Sequence, residues 1–346
     1  MLSGSKEAIG RFVKWGTLLL LVCLALAYPW LFPNPYLRFV GVMTVMYMGL
    51  ATSWNLMAGN TGYVSLGHSA FFGVGAYFTG IMIVRFDMPP FAMVAAAGVF
   101  VGLFAIVIGW LALRTRDASF VIVTLALVYI MLLLAQGWRG LTGGSSGLSL
   151  PRMEGIGRED AHVPFYFAFL ILLAVVLFTT WWIGRSKFGM GLVAIRGDED
   201  KAAALGVNTD LYKLIAFVLS AGFTGIGGGI YVYWFSYIEP FFVFSITIGV
   251  NMILMALLGG TRSLFGPALG ALLLVPGTQY LIGEYGSTQL HVVLTGLLLG
   301  AIVMVLPMGI IPSLRSAAAH LWSASSGASS AATCTESDEV AEGVGR

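Results

Sequence analysis

The chain has 346 residues, of which 58% are apolar and only 10% charged, with 18 Lys and Arg against 16 Asp and Glu. About a quarter of a soluble domain is charged, so this composition excludes a water-soluble protein and, over most of the length, a disordered one. A net charge of +2 is too small to argue for nucleic acid.

The positions without charge define the elements. Lys14 to Arg38 encloses 23 uncharged residues, and Arg38 to Arg85 encloses 46. Further runs are Met88 to Leu113, Ala118 to Trp138, Ala161 to Gly184, Leu214 to Ile238, Pro240 to Thr261, Ser263 to Gly283 and Tyr285 to Leu314. About 20 apolar residues cross a bilayer as a helix. The 46-residue run fits two crossings with a polar break at Asn55 to Gly62. The expected fold is therefore an all-α integral membrane protein of about ten transmembrane helices, since barrel strands would be shorter and strictly alternating. It divides into an N-terminal segment 1–14, a transmembrane domain 15–314 and a polar tail 315–346 that is expected to be disordered. The first span has a basic start, but Tyr28-Pro29-Trp30 is no small-residue cleavage site, so it reads as a retained helix.

Ten spans place both ends on one side. That side holds 13 of the Lys and Arg and the other holds 5, so the positive-inside bias puts both termini in the cytoplasm. Segments 55–70 and 259–270, rich in Gly and polar residues, are each compatible with a re-entrant path as well as a simple span.

In chain order, the first candidate site lies between Asn55 and Tyr77. Thr61, Ser65, Ser69 and Gly73 recur every four residues, so on one helix they make a small, partly polar stripe beside His68. Such a stripe suits close helix packing or a solute path. Ser220, Thr224 and Gly228 repeat the spacing. The second site is the basic loop 185–213, which holds Asp198-Glu199-Asp200 and then Ala202-Ala203-Ala204-Leu205-Gly206. Acids suit a helix N-terminus and Gly206 its C-terminal cap. A short helix is expected there, either flat at the membrane or docked by its small apolar side in a partner's groove. The third is the turn Gly259-Gly260-Thr261-Arg262-Ser263, between spans eight and nine.

Several chemistries are missing from the sequence. Asp and Glu all fall at or near span boundaries, which weighs against an ion-coupled carrier. There is no G-x-x-x-x-G-K-[ST] phosphate loop and no H-E-x-x-H. Cys23 and Cys334 lie in an apolar run and in the polar tail, so neither a disulfide framework nor a metal site is expected. A stand-alone carrier and a membrane enzyme remain as alternatives.

The sequence resembles the LivM type of branched-chain amino acid ABC permeases. The resemblance runs through Gly62-Tyr63-Val64-Ser65-Leu66-Gly67-His68-Ser69-Ala70-Phe71-Phe72, Val123 to Ala126 and Leu141 to Leu148. It continues through Ala194 to Val207, Tyr212 to Phe217, and Leu258 to Pro267. It implies an importer permease bundle working by alternating access, with no cofactor in this chain. ATP and Mg would bind to two partner ATPase subunits (LivG/LivF type). A second permease subunit (LivH type) and a periplasmic amino-acid-binding protein complete the implied assembly. The resemblance also implies an E-A-A-x-x-x-G coupling loop; Asp200, Ala202 and Gly206 stand at those spacings, with Lys201 in place of the first Ala. Asp198, Asp200, Ala202, Ala203, Leu205 and Gly206 are the expected coupling residues. Asn55, Thr61, Ser65, His68, Ser69, Gly73, Ser220 and Thr224 are the candidates for path or packing. A urea or short-amide permease shares these motifs and is the alternative within the class.

Overall fold

The computed structural model describes residues 23–151 and 161–286, together with 296, 297 and 300. Helix α1 is described over 23–31. The long helices that follow are α2 (Pro35–Thr61), α3 (His68–Phe86), α4 (Pro90–Ala112) and α5 (Asp117–Gly137). After the short α6 (Arg139–Thr142) come α7 (His162–Arg185), α8 (Lys187–Gly197) and α9 (Glu199–Ala204). The chain continues as α10 (Thr209–Phe235), the short α11 (Pro240–Val243), α12 (Ile246–Gly259) and α13 (Gly266–Tyr285).

Local chemistry sets the ends of these helices. Asn34 caps α2 by accepting from the Tyr36 amide at 2.9 Å, with Pro35 in the first turn, where a missing N–H costs nothing. Gly62, at φ 81°, closes the other end in the left-handed region. The polar break between the first two long helices therefore falls at 62–67, not at Asn55 to Gly62, and Asn55 lies inside α2. Arg38 also lies inside α2, where its Nε donates to the Pro29 carbonyl at 3.1 Å, instead of marking a boundary between spans. The run Pro240 to Thr261 is broken too: α11 is one turn, Ser245 caps α12, and α12 supplies the rest of the crossing.

Among the described residues, seven helices or helix pairs are long and apolar enough to cross a membrane. The count of ten reaches beyond them. The tenth run, 285–314, falls almost wholly outside the described residues, as do 1–14 and 315–346. The ninth is α13, a 20-residue helix with Pro276 inside it and the polar pair Thr278-Gln279 in its second half, and it is not among the seven.

The bundle is built around α10, which packs on α2, α3, α4 and α7. In their most apolar stretches 78% of α2 is buried but only 22% of α4, which separates an inner layer of α2, α3 and α10 from an outer layer. The outer faces of α4, α5 and α7 expose Val99, Leu103, Val107, Ile122, Leu133, Ile171 and Phe178, a surface suited to lipid. Where α10 meets α3, a Cβ on Gly228 would overlap the Phe72 carbonyl oxygen, and one on Gly75 the Gly225 carbonyl. Lipid gives no hydrophobic drive between helices, so such close backbone contact holds them together. At one end of the bundle, β1 (Leu148–Ser149) pairs antiparallel with β2 (Tyr237–Ile238), in the register Leu148↔Ile238 and Ser149↔Tyr237. The pairing ties the loop after α6 to the end of α10. The opposite end carries α8, α9 and the α12–α13 turn.

Candidate coupling site

Helix α9 follows from its sequence. Asp198 accepts from the Lys201 amide at 3.0 Å and pairs with the Lys201 ammonium at 2.9 Å. That backbone hydrogen bond, with the Lys201 ion pair, holds the Asp198 carboxyl below its ordinary value. At the other end Gly206 sits at φ 88°. Its amide bonds to Ala203 O at 2.9 Å, and the Val207 amide bonds to Ala202 O at 3.1 Å, a left-handed closure that needs Gly.

The expected apolar docking side divides in two. Ala202 is buried, 2% exposed, against the chain itself, whereas Ala203 and Gly206 are exposed and Leu205 is 84% exposed. Ala202 therefore does not belong to the outward face, because it is the residue by which α9 sits on the bundle. Asp200 is exposed and pairs with Arg116 at 3.1 Å, from the connection between α4 and α5.

Glu199 was not among the residues expected to act here, yet three elements converge on it. The Lys213 ammonium of α10 pairs with Oε1, the Tyr63 hydroxyl from the α2–α3 turn donates to Oε2, and Arg116 stands 3.9 Å away. Burial pushes the Glu199 carboxyl up, but the hydrogen bonds from Lys213 and Tyr63 and the charges of Lys213 and Arg116 outweigh it and leave it lowered. Lys213 also lies 5.0 Å from the Tyr63 ring centre. The available signal was Lys213: a lysine leading an apolar run needs an acid when it is buried.

Two more bonds fasten this end. Arg196 of α8 donates to the Gly59 carbonyl near the end of α2. Asn55 Nδ2 donates to the Thr261 carbonyl at 3.1 Å. So α8 and the α12–α13 turn both attach to the last turns of α2.

The other candidates do not form one stripe. Gly62 ends α2 before α3 restarts at His68, so Thr61, Ser65, Ser69 and Gly73 cannot share a helical face. Thr61 donates to Met57 O at 2.9 Å, and Ser65 accepts from the Gly67 amide at 3.2 Å. Ser69 faces Gly249 of α12, and Gly73 faces the Phe244 ring. His68, Ser220 and Thr224 instead meet at a buried junction of α2, α3 and α10. Ser220 Oγ donates to Ser53 O at 2.6 Å, and Ser53 Oγ donates back to Ser220 O at 3.0 Å. The Ser220 hydrogen is thus used, so His68 Nε2, 2.6 Å from Ser220 Oγ, is the donor in that contact. Thr224 Oγ1 donates to Ser220 O at 2.9 Å. All three side chains are fully buried.

Comparison with known proteins agrees with this architecture. The profile of the family described as branched-chain amino acid transport system / permease component matches residues 36–306. The high-affinity branched-chain amino acid permease LivM of Escherichia coli K12 is 25% identical over 325 residues, covering 86% of this chain and 75% of that protein. LivH of the same strain is 27% identical over 289 residues, covering 77% of this chain and 91% of that protein. The autoinducer 2 import permease LsrC of Salmonella paratyphi B is 26% identical over 275 residues, covering 73% of this chain and 74% of that protein. No solved structure matches the chain. A multi-pass helical bundle matched over most of its length by one family profile leads to a single assignment: this chain belongs to the family of permease components of branched-chain amino acid transport systems.

Proposed function

We propose that this chain is the transmembrane permease subunit of an ATP-driven importer of Leu, Ile and Val in a bacterial inner membrane. It crosses the membrane ten times with both termini in the cytoplasm, 15–314 forming the permease domain. Its partners are a second permease subunit of the LivH type, two ATPase subunits that bind ATP and Mg, and a periplasmic amino-acid-binding protein. The ATPases close on ATP, displace the coupling loop 185–213, and the bundle alternates its access. The LivM and LivH relatives support the amino-acid substrate.

The observation that carries the reading is the form of α9. Its acids turn inward or sideways to Lys213, Arg116 and Lys201, while Ala203, Leu205 and Gly206 stand out from the surface. A large apolar side chain held exposed on a capped, charge-tied helix outside the lipid suits a groove on a partner. We read His68, Ser220 and Thr224 as packing residues, since all three are buried in the α2–α3–α10 junction and bond there through His68 Nε2 and the two hydroxyls. Asn55 holds the α12–α13 turn, and Thr61 and Ser65 shape the α2–α3 turn.

The test is uptake of radiolabelled leucine by proteoliposomes holding both permeases, the ATPases and the binding protein. An arginine forced into an apolar groove leaves a desolvated, unpaired charge, costing roughly 2–5 kcal/mol. Ala203→Arg is therefore expected to leave the chain folded and inserted, to lose the ATPases in pull-downs and to abolish uptake. Normal ATPase recovery with full uptake would move the docking role away from α9.

A further inference from the structure

We propose that Glu199 is the movable joint between α9 and the bundle, with Lys213 exchanging Glu199 for Asp210 as α9 is displaced. The proposal rests on the importer reading above and adds a positioning residue to it.

The geometry begins with Lys213. Its side chain is 1% exposed, and a cation so covered needs an acid in every conformation it visits. It has two. Glu199 belongs to α9. Asp210, 3.5 Å away, is on Lys213's own helix, three residues earlier, and its side chain is 89% exposed. Movement of α9 carries Glu199 away but cannot remove Asp210, so Lys213 is never stranded. Arg116 differs, since both of its acids belong to α9, Asp200 at 3.1 Å and Glu199 at 3.9 Å, but its side chain is 56% exposed and water can take the place of either.

The rest of the contact is light. Ala202 is the buried residue of α9, and one methyl group is a weak anchor. The Glu199 carboxylate, with Tyr63 on one oxygen and Lys213 on the other, is thus the main tie between α9 and the bundle. Through Tyr63 it reaches the turn joining α2 to α3, and through Lys213 the start of α10, so the same carboxylate touches all three inner helices or their connections. A cavity of about 540 Å³ opens beside it, lined among others by Glu199, Lys213, Asp210, Arg116 and Trp110. The cavity gives water access to the Glu199 carboxylate, 13% exposed against 1% for Lys213, so the carboxylate can be hydrated when the pair parts, whereas a wholly dry pair would hold rigidly.

The experiment uses the complete importer in proteoliposomes with leucine as solute, reading ATPase recovery and leucine taken up per ATP hydrolysed. Glu199→Gln keeps size and a partner for Tyr63 but removes the charge. Glu199 faces inward, its side chain 13% exposed, so the ATPases should copurify as in wild type. Uptake per ATP should fall about tenfold, the size of an ordinary coupling between sites. Glu199→Asp restores the charge and should recover part of the ratio; a purely shape-filling role would make Asp worse than Gln. If Glu199→Gln does not reach the membrane, Tyr63→Phe reads the same joint, with a fall of about threefold for one lost hydrogen bond. A wild-type ratio in whichever variant is read, an Asp variant worse than Gln, or loss of the ATPases from Glu199→Gln would overturn the joint. Intact ATPase binding by Ala203→Arg would instead sink the docking reading, so the two failures are distinguishable.

Discussion

The α3–α10 contact and the α9–bundle contact hold helices together by opposite means. In the first, glycines let two backbones touch, and the Ser53, Ser220 and Thr224 hydroxyls and His68 Nε2 form hydrogen bonds without an ion pair. In the second, a six-residue helix rests on one alanine and a set of ion pairs beside a cavity. Van der Waals contact between backbones falls off within a fraction of an ångström and has no alternative partner. Ion pairs act over a longer range, accept exchange of partners and weaken when water enters. A machine needing a rigid interior and a mobile handle would use the two in these places. The contrast predicts that small changes in the interior cost stability, and that changes on the handle cost coupling.

The largest effect on the fold is expected at Gly228. Its missing side chain is replaced by the Phe72 carbonyl, and backbone cannot step aside as a side chain can. Gly228→Val should separate α3 from α10 and destabilise the protein by about 1–3 kcal/mol or more, read as lower yield and a lower midpoint in detergent-induced unfolding. Gly73→Leu, facing the Phe244 ring, should be milder, because a ring can turn. Equal tolerance at both sites would break the distinction between backbone and side-chain contact.

Next comes the hydroxyl junction. Ser220→Ala removes the acceptor of His68 Nε2 and the second donor to Ser53 O; the Ser53 carbonyl keeps its bond within α2, so the buried imidazole N–H is the group left unmatched. The expected loss is about 1–3 kcal/mol by the same unfolding measurement. Leucine uptake per folded molecule should be unchanged if these residues only pack, and a selective loss of uptake with normal stability would restore a solute-path role.

Much of this architecture is readable from the sequence, and the misses have physical causes. Absence of charge locates most long helices because lipid tolerates little else. It does not locate breaks: Gly62 ends α2 with one left-handed residue, while the polar Asn55 and Asn60 remain inside the helix, where Asn60 donates to Leu56 O at 2.7 Å. Four-residue spacing implied a stripe through Thr61 and Ser65, but spacing has meaning only while the helix continues. At α9 the caps Asp198 and Gly206 are legible because capping is local. Glu199 is not, since its partners lie 136 and 14 residues away at Tyr63 and Lys213, and nothing local separates it from its acidic neighbours.

The smallest effect concerns pH, and it reads the charged contact of α9 directly. Glu199 and Asp198 both have carboxyls held below their ordinary values of 4.5 and 3.8 in the folded chain. A lowered folded value means that the charged form is favoured by folding, so the stabilisation is fully present above the ordinary carboxylate range. It is lost as pH falls through the lowered values, where both groups protonate. The handle should therefore loosen in acid as these two carboxyls protonate. In nanodiscs, hydrogen exchange corrected for its intrinsic rate should show α9 amides losing protection as pH falls below the ordinary carboxylate range. Glu199→Gln should flatten most of the α9 response and leave the part due to the Asp198 cap. Protection of α9 that stays constant across that range would mean that packing, and not charge, holds the coupling helix in place.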